Sequence, residues 1–349
     1  MFRYIGNKTK LLGEIINKTT ELIGTQGIVA DLMAGTGSVA LEYRRRGYQV
    51  IASDMMTYSK CHLITQLLYT QPPEFAGIVR EAAEMPGTNS YERVLSFLNA
   101  LPPIKGYFYE EFSPEGTPVN GCPSRKYFTS ENAQKIDAIR EKLRFWKENG
   151  LIDEKEDAVL KHTLIMAVNN VANISGTYGY FMADFSQSAN ERIDLRAVAF
   201  EEGNTNHTVL QGFAEELASE ITADLCYIDP PYIKRQYAAN YHILETIARG
   251  DYPEARGKSG LRNWWDQHSK FCTKTRIQES FRSILKEMNC PHFLVSYSED
   301  GLLSMEQMES LFSEFGQVVI NELDYTRFRS NNSALPKTIT EYLIEVHKV

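Results

Sequence analysis

Apolar residues along this chain follow two rhythms, and the alternation between them predicts an α/β fold. Leu11, Leu12, Ile15, Ile16 and Leu22 recur at helical spacing behind a polar lead-in, Arg3 to Lys10, so a loop feeds the first helix. Ile28-Val-Ala-Asp31 is then a short continuous apolar run, and Gly35 and Gly37 separate it from a second helical start at Val39, Ala40 and Leu41. Tyr48 to Asp54 reads as a second strand, and a helix from Thr57 to Tyr69 stops at Pro72-Pro73. Strand patterns resume at Thr208 to Phe213 and Asp224 to Asp229, then at His292 to Ser298, Gln317 to Leu323 and Thr338 to Val346. Helical patterns over Ile277 to Met288 and Met305 to Phe315 lie between the later ones. Strands alternating with helices in this way predict βα units sharing one sheet.

The spacing breaks once. Asp31 and Asp229 lie 198 positions apart, whereas three βα units need roughly 90 residues. Residues 71–205 are therefore expected to form an inserted, mainly helical module, with 1–70 and 206–349 making the sheet domain. Within the insertion, Ser130 to Asn149 carries Ala133, Ile136, Ile139, Leu143 and Trp146 on one helical face. Asp153 and Glu156 have capping-box spacing for a helix running through Val168. Gly106 to Phe128 is dense in aromatics and reads as loop, as does Ile233 to His268, which is either a nucleic-acid contact or a covering loop with its own aromatic core.

Composition narrows the class. No apolar run reaches the length of a membrane span, and Met1-Phe2-Arg3-Tyr4 leads into Gly and Lys rather than a signal core, so a cytoplasmic protein without membrane attachment is expected. The five cysteines, at positions 61, 122, 226, 272 and 290, form no CxxC pair; neither a disulfide framework nor a metal site is expected. Lys plus Arg is 37 against 45 Asp plus Glu, a net charge of −8, so any nucleic-acid partner must meet local basic clusters. These occur at Arg44-Arg45-Arg46, at Lys234-Arg235, at Lys270 with Lys274 and Arg276, and at Arg327 with Arg329. Each is an ordinary solvated face unless several share one surface.

The chemistry concentrates at strand ends. In Asp31-Leu-Met-Ala34-Gly35-Thr-Gly37-Ser38, the two glycines remove side chains where an open α/β sheet places its ligand. The loop lacks the third glycine of a dinucleotide fingerprint and the Gly-Lys-Ser/Thr of a P-loop. Asp54, with Met55 after it, ends the next strand about 20 residues on, where an acid can grasp ribose hydroxyls; together these suggest an adenosine-containing ligand. Cys226-Tyr-Ile-Asp229-Pro230-Pro231-Tyr232 can clamp a flat amino-bearing ring, with Asp229 and the Pro230 carbonyl as acceptors and Tyr232 as the stacking face. Taken alone it reads equally well as a surface turn. Asn169-Asn170-Val-Ala-Asn-Ile-Ser-Gly-Thr-Tyr178-Gly-Tyr-Phe181 offers amides and aromatics of the kind that read base edges. With Tyr241, Lys234 and Arg235, residues Asn169, Asn170 and Tyr178 are the candidate DNA contacts.

The set of motifs resembles the Dam-like, α-group DNA adenine methyltransferases, which carry a DPPY catalytic motif and use S-adenosyl-L-methionine (AdoMet). RYIGNKTKLL resembles their N-terminal motif, DLMAGTGSVA their AdoMet motif, ASDMM their acidic motif and CYIDPPY their catalytic motif, in the family's order and over the whole chain. The resemblance implies a Rossmann-like AdoMet-dependent methyltransferase sheet with an inserted target-recognition module, acting on adenine in double-stranded DNA. It assigns Tyr4 and Lys8 to AdoMet, Asp54 to its ribose, Asp229 to the adenine amino group and Tyr232 to stacking. Where the family often has an acid for the AdoMet adenine, this chain reads Leu210-Gln-Gly212-Phe213, which leaves that contact to Phe213 or Gln211. A cognate restriction enzyme or an accessory protein is a candidate partner, the acidic net charge leaving room for the second; the sequence does not tell whether a restriction enzyme accompanies the protein. An RNA adenine methyltransferase could use the same clamp, and a non-catalytic DNA-binding module would need none of it. Protein glutamine methyltransferases resemble an Asn-Pro-Pro-Tyr pattern instead.

Overall fold

The computed structural model describes residues 6, 8–119, 121–326 and 338–349. Tyr4, Arg327 and Arg329 lie outside the described residues. The chain separates into two compact units. One comprises Gly6–Leu63, Gly203–Tyr237 and Gln267–Val349; the other includes Ile64–Glu202 and Ala238–Asp266.

The first unit is built on seven strands: β1 (Ile28–Asp31), β2 (Gln49–Asp54), β3 (Thr208–Gln211), β4 (Leu225–Ile228), β5 (His292–Ser298), β6 (Gly316–Thr326) and β7 (Thr338–Lys348). Their order is β3-β2-β1-β4-β5-β7-β6. The first five are parallel and β7 runs antiparallel to β5 and β6. The order reverses between β1 and β4, so the ligand crevice of such a sheet opens at their carboxyl ends, between Asp31 and Asp229. This is the Rossmann-like methyltransferase sheet that the motifs imply.

The described helices, in chain order, are α1 (Leu12–Ile23), α2 (Ser38–Arg45), α3 (Thr57–Leu67), α4 (Ser90–Ala100), α5 (Tyr107–Phe112), α6 (Ser130–Glu148), α7 (Glu154–Val171), α8 (Ala214–Leu217), α9 (Tyr237–Asn240), α10 (His242–Arg249), α11 (Ile277–Glu287) and α12 (Met305–Phe312). Within the sheet unit, helices cover both faces of the strands. α8, α11 and α12 bury Ala214, Phe281, Ile284, Met308 and Phe312 against Ala30, Cys226, Ile228, Phe293, Val295 and Ile344 of the strands. The Phe281 ring meets Phe271 at 5.0 Å and Phe312 at 5.2 Å, both edge-on, each such pair adding about 1 kcal/mol beyond burial. On the opposite face Tyr43 of α2 packs edge-on to Tyr227 of β4 at 6.5 Å, and its hydroxyl hydrogen-bonds Thr19 of α1.

The second unit is helical: among the described residues, 71–205 hold four helices (α4 to α7) where the pattern predicts two, and α10 belongs to the same unit. α4 buries Tyr91, Val94, Leu95 and Leu98 on one face and is capped by Asn89, which accepts from the Glu92 N–H. That spacing is written in the sequence. The start of α5 is not, because its cap comes from elsewhere: the Asp137 carboxylate on α6 accepts from the Gly106, Phe108 and Tyr109 N–H groups at 3.1, 2.8 and 2.8 Å. A Cβ at Gly106 would lie 2.8 Å from Asp137 Cγ, so only glycine admits this approach. α7 begins at the predicted Asp153–Glu156 capping box.

Residues 238–266, expected in the sheet domain, fold with this helical unit. Buried guanidiniums tie them there. Arg125 donates to the Gly257 and Lys258 carbonyls while ion-pairing with Glu111 at 2.7 Å. Arg140 of α6 donates to the Asp251 carbonyl at 2.6 Å, and Arg262 makes a two-pronged bond to the Asp251 carboxylate. Among the described residues no helix is long and apolar enough to cross a membrane.

Asp137→Ala leaves three helix-start N–H groups without their acceptor and is expected to destabilise the fold by about 3 kcal/mol. Asp137→Asn, which keeps one carbonyl acceptor, should cost markedly less; chemical denaturation of both variants measures the difference.

Candidate active site

The strand that ends at Asp31 turns through a loop whose backbone is fastened on both sides. Ala34 N–H donates to the Ser53 carbonyl at 3.0 Å, and Ser53 Oγ donates back to the Leu32 carbonyl at 3.0 Å. Gly35 and Gly37 have φ of 54° and 80°, conformations that side chains rarely adopt, and Gly37 serves as the N-cap of α2, with Ser38 in its first turn. The Asp54 carboxylate closes the loop, accepting from Gly35 N–H at 2.9 Å and Met56 N–H at 2.8 Å. Met55 is tied by its carbonyl to the Gln267 side chain.

Asp31 belongs to the expected ligand contacts, but it is 1% exposed. Its carboxyl is pushed well above the usual range, first by burial and then by the charges of Asp229 and Asp54, while the backbone N–H groups of Met33 and Ala40 pull the other way. It is buried beneath the loop instead of lining the surface, and the rise favours its neutral form. At the third strand, Gly212 N–H donates to the Asp54 carbonyl at 3.1 Å, and a Cβ at 212 would crowd Leu217 at 3.3 Å. The Phe213 carbonyl accepts from Glu216 and Leu217 N–H groups at the start of α8, and Gln211 donates to Thr57. The half-buried Phe213 ring is the part of this stretch left to meet a ligand.

At the end of β4, Asp229 Oδ1 accepts from the Tyr232 hydroxyl at 3.1 Å. Pro230 and Pro231 hold the turn between them, and the Tyr232 ring lies edge-on to Tyr297 at 5.6 Å. The Lys8 ammonium completes the cluster. It stands 3.5 Å from Asp229 Oδ1, donates to the Tyr232 hydroxyl, and donates to Glu341 Oε2 at 2.9 Å. Lys8, assigned by resemblance to the cofactor, is here bound to the clamp itself, 4% exposed. Glu341 of β7 was missed. Its signal is the strand period: Ile339, Glu341, Leu343 and Glu345 share one buried face, so two acids sit where apolar residues belong, and Glu345 pairs with Lys18 as Glu341 pairs with Lys8.

This arrangement sets the charge of Asp229. Burial raises its carboxyl to about 6, the Lys8 ammonium and the Tyr232 hydroxyl oppose the rise, and Glu341 adds to it. For Lys8, burial favours the neutral form, but the charges of Asp229 and Glu341 prevail and raise it.

Of the candidate DNA contacts, Asn170, Lys234 and Arg235 are exposed. Asn169, Tyr178 and Tyr241 are not, being 1%, 0% and 0% exposed, and this corrects their assignment. Tyr178 and Tyr241 pack edge-on at 6.4 Å, the Tyr178 backbone bonds Asn240, Tyr127 and His242, and Asn169 lies on the inner face of α7. The aromatic loop presents Tyr180 instead, 54% exposed and stacked on Phe181 at 4.8 Å, and Trp265 is 71% exposed and stacked on Trp264.

The profile of the D12 class N6 adenine-specific DNA methyltransferases matches residues 4–311. The chain belongs to this family. Three relatives agree. The type II methyltransferase M.NlaIII of Neisseria lactamica is 32% identical over 336 residues, 95% of this chain and 93% of that protein. M.CviAII of Paramecium bursaria Chlorella virus 1 is 31% identical, covering 99% and 98%. M.FokI of Planomicrobium okeanokoites is 34% identical over 99% of this chain, which spans 52% of that longer protein. In this adenine-specific DNA methyltransferase the Asp229–Tyr232 turn stands at the end of β4, with Lys8 and Glu341 as its charged surroundings.

If Asp229 accepts a substrate N–H, its ionised form is the stronger acceptor, and activity should rise with pH through about 6, the value for its carboxyl. Lys8→Gln removes the strongest opposition to that rise and should move the acid limb of the kcat/KM profile upward by about one unit. An unmoved limb in a tritiated-methyl assay would show that Lys8 does not set the charge of Asp229.

Proposed function

We propose that this protein transfers the methyl group of AdoMet to the exocyclic amino group of an adenine extruded from double-stranded DNA at a specific sequence. In the cell this makes it the modification methylase of a restriction-modification system or an orphan methylase. The observation that carries the reading is the Asp229 carboxylate at the mouth of the crevice, held by Tyr232 and already facing the N–H donors of an ammonium group.

The residues present fit AdoMet. Three carboxylates, Asp31, Asp54 and Asp229, act on one another at the crevice, and their repulsion joins burial in raising the Asp31 carboxyl; a sulfonium cation relieves that repulsion. Ala34, Gly35, Gly37 and Ser38 offer backbone, Asp54 and Met55 the ribose side, and Gly212 and Phe213 the adenine side. Bound there, AdoMet supplies an electrophilic methyl group. The chain's own task is the nucleophile. The amino lone pair of adenine is delocalised into its ring; Asp229 and the Pro230 carbonyl, accepting its two N–H bonds, favour a pyramidal nitrogen and stabilise the positive charge that develops on it. Extruding the base costs a few kcal/mol, offset by about 1–3 kcal/mol of stacking on Tyr232. Lys8 lies against the same ring, 4.7 Å from its centroid, and Glu341 gives its ammonium a place to remain when the base enters.

The helical unit is the proposed target reader, with Asn170, Tyr180 and Trp265 as its exposed amide and aromatic side chains. Asp229→Ala should abolish methylation and leave AdoMet binding measurable by calorimetry; retained activity would refute the clamp. Phe213→Ala should weaken AdoMet binding about tenfold, the scale of removing one buried aromatic ring from a ligand's surface. Duplex DNA and duplex RNA offered side by side separate the DNA reading from an RNA methyltransferase.

A further inference from the structure

The net charge of −8 requires that DNA be met by a local concentration of cations, and one such concentration stands out. Lys234 and Arg235 directly follow the clamp, and Lys270, Lys274 and Arg276 lie in a segment more than 30 residues later. The fold joins the two segments by a buried rivet. Gln236 Nε2 donates to the Ser269 carbonyl at 3.0 Å, Ser269 N–H donates back to Gln236 Oε1 at 2.9 Å, and Cys272 Sγ donates to the Arg235 carbonyl at 3.3 Å. Gln236, Ser269 and Cys272 are 9%, 6% and 4% exposed. The later segment is also tied to the acidic motif, since Gln267 Nε2 donates to the Met55 carbonyl at 3.0 Å.

All five cations are exposed, and among the described residues none of them is ion-paired. Neither stretch, 230–237 or 267–278, contains an acidic residue. Three other surface arginines differ: Arg46 pairs with Glu42, Arg256 with Glu254, and Arg282 with Glu314. A charged surface left uncompensated in an acidic protein is kept for an anion, and its continuity with Tyr232 specifies an anion that accompanies the target base.

We propose that Lys234, Arg235, Lys270, Lys274 and Arg276 form one surface that binds the phosphodiester backbone of the DNA flanking the extruded adenine. This rests on the proposed DNA substrate. The interactions are ionic and independent of sequence, so they hold the strand while the helical unit selects it.

The test is the salt dependence of duplex-DNA binding by the full-length protein, measured by fluorescence anisotropy. Combining Lys270→Gln, Lys274→Gln and Arg276→Gln should reduce the slope of log affinity against log salt by about 0.9 for each phosphate the surface no longer neutralises. KM for DNA should rise while kcat and AdoMet affinity hold. Arg282→Gln, a cation already paired with Glu314, should leave the slope unchanged. A triple variant that folds normally by thermal melting yet keeps the wild-type slope overturns the surface and leaves the DNA reading intact. A wild-type protein that binds duplex DNA without salt dependence overturns the surface alone; one that binds and methylates duplex RNA but not duplex DNA overturns both.

Discussion

Three strand ends place three carboxylates in one crevice, and the polar contacts around those strand ends compensate them. Asp31, Asp54 and Asp229 stand at the ends of β1, β2 and β4, and parallel neighbours bring their carboxyl ends together as a matter of topology. Like charges at short range disfavour joint ionisation, and burial compounds the effect. The protein answers in three ways. Asp31 is withdrawn from solvent, Asp54 is bonded to two backbone N–H groups, and Asp229 receives the Lys8 ammonium. Of the three, Asp229 is the one whose partner can exchange with a substrate donor, and that difference suits it to the proposed role of catalytic acceptor.

The compensation has its own cost. Burying Lys8 with two acids removes three charges from water, and such clusters contribute little net stability compared with apolar replacements. Glu341 occupies a strand face that otherwise carries Ile339 and Leu343. A carboxylate at that position is understandable as a second acceptor for Lys8, which keeps the ammonium compensated whether or not Asp229 is engaged. The basic segments next to the clamp follow the opposite rule: their cations are exposed and unpaired, whereas Arg46, Arg144, Arg256 and Arg282 each have a carboxylate neighbour.

The helical unit depends on long-range polar contacts in the same manner. Asp137 starts α5 from another helix, and Arg125, Arg140 and Arg262 fasten residues 238–266 through carbonyls and carboxylates. Since each buried guanidinium must find partners, these contacts define which irregular stretches are structural. They also explain why Tyr178 and Tyr241, attractive as base-stacking side chains, are inside: their neighbours needed a core, and Tyr180 and Trp265 remain outside.

Local periodicity determined the strands, most of the helices and the insertion, because apolar spacing is written into consecutive residues. Contiguous motifs determined the glycine loop, Asp54 and the Asp229–Tyr232 turn for the same reason, as each needs only a few neighbours along the chain. What the tertiary structure decided is every feature whose partner lies far away in sequence. Lys8 and Glu341 are 333 positions apart, the α5 cap sits on α6, and residues 238–266 join the helical unit through side chains more than a hundred positions upstream. The two basic segments become one surface only through the Gln236–Ser269 pair. A pattern read along the chain records which face of an element is buried, but not what it is buried against, and charge pairing depends on the second.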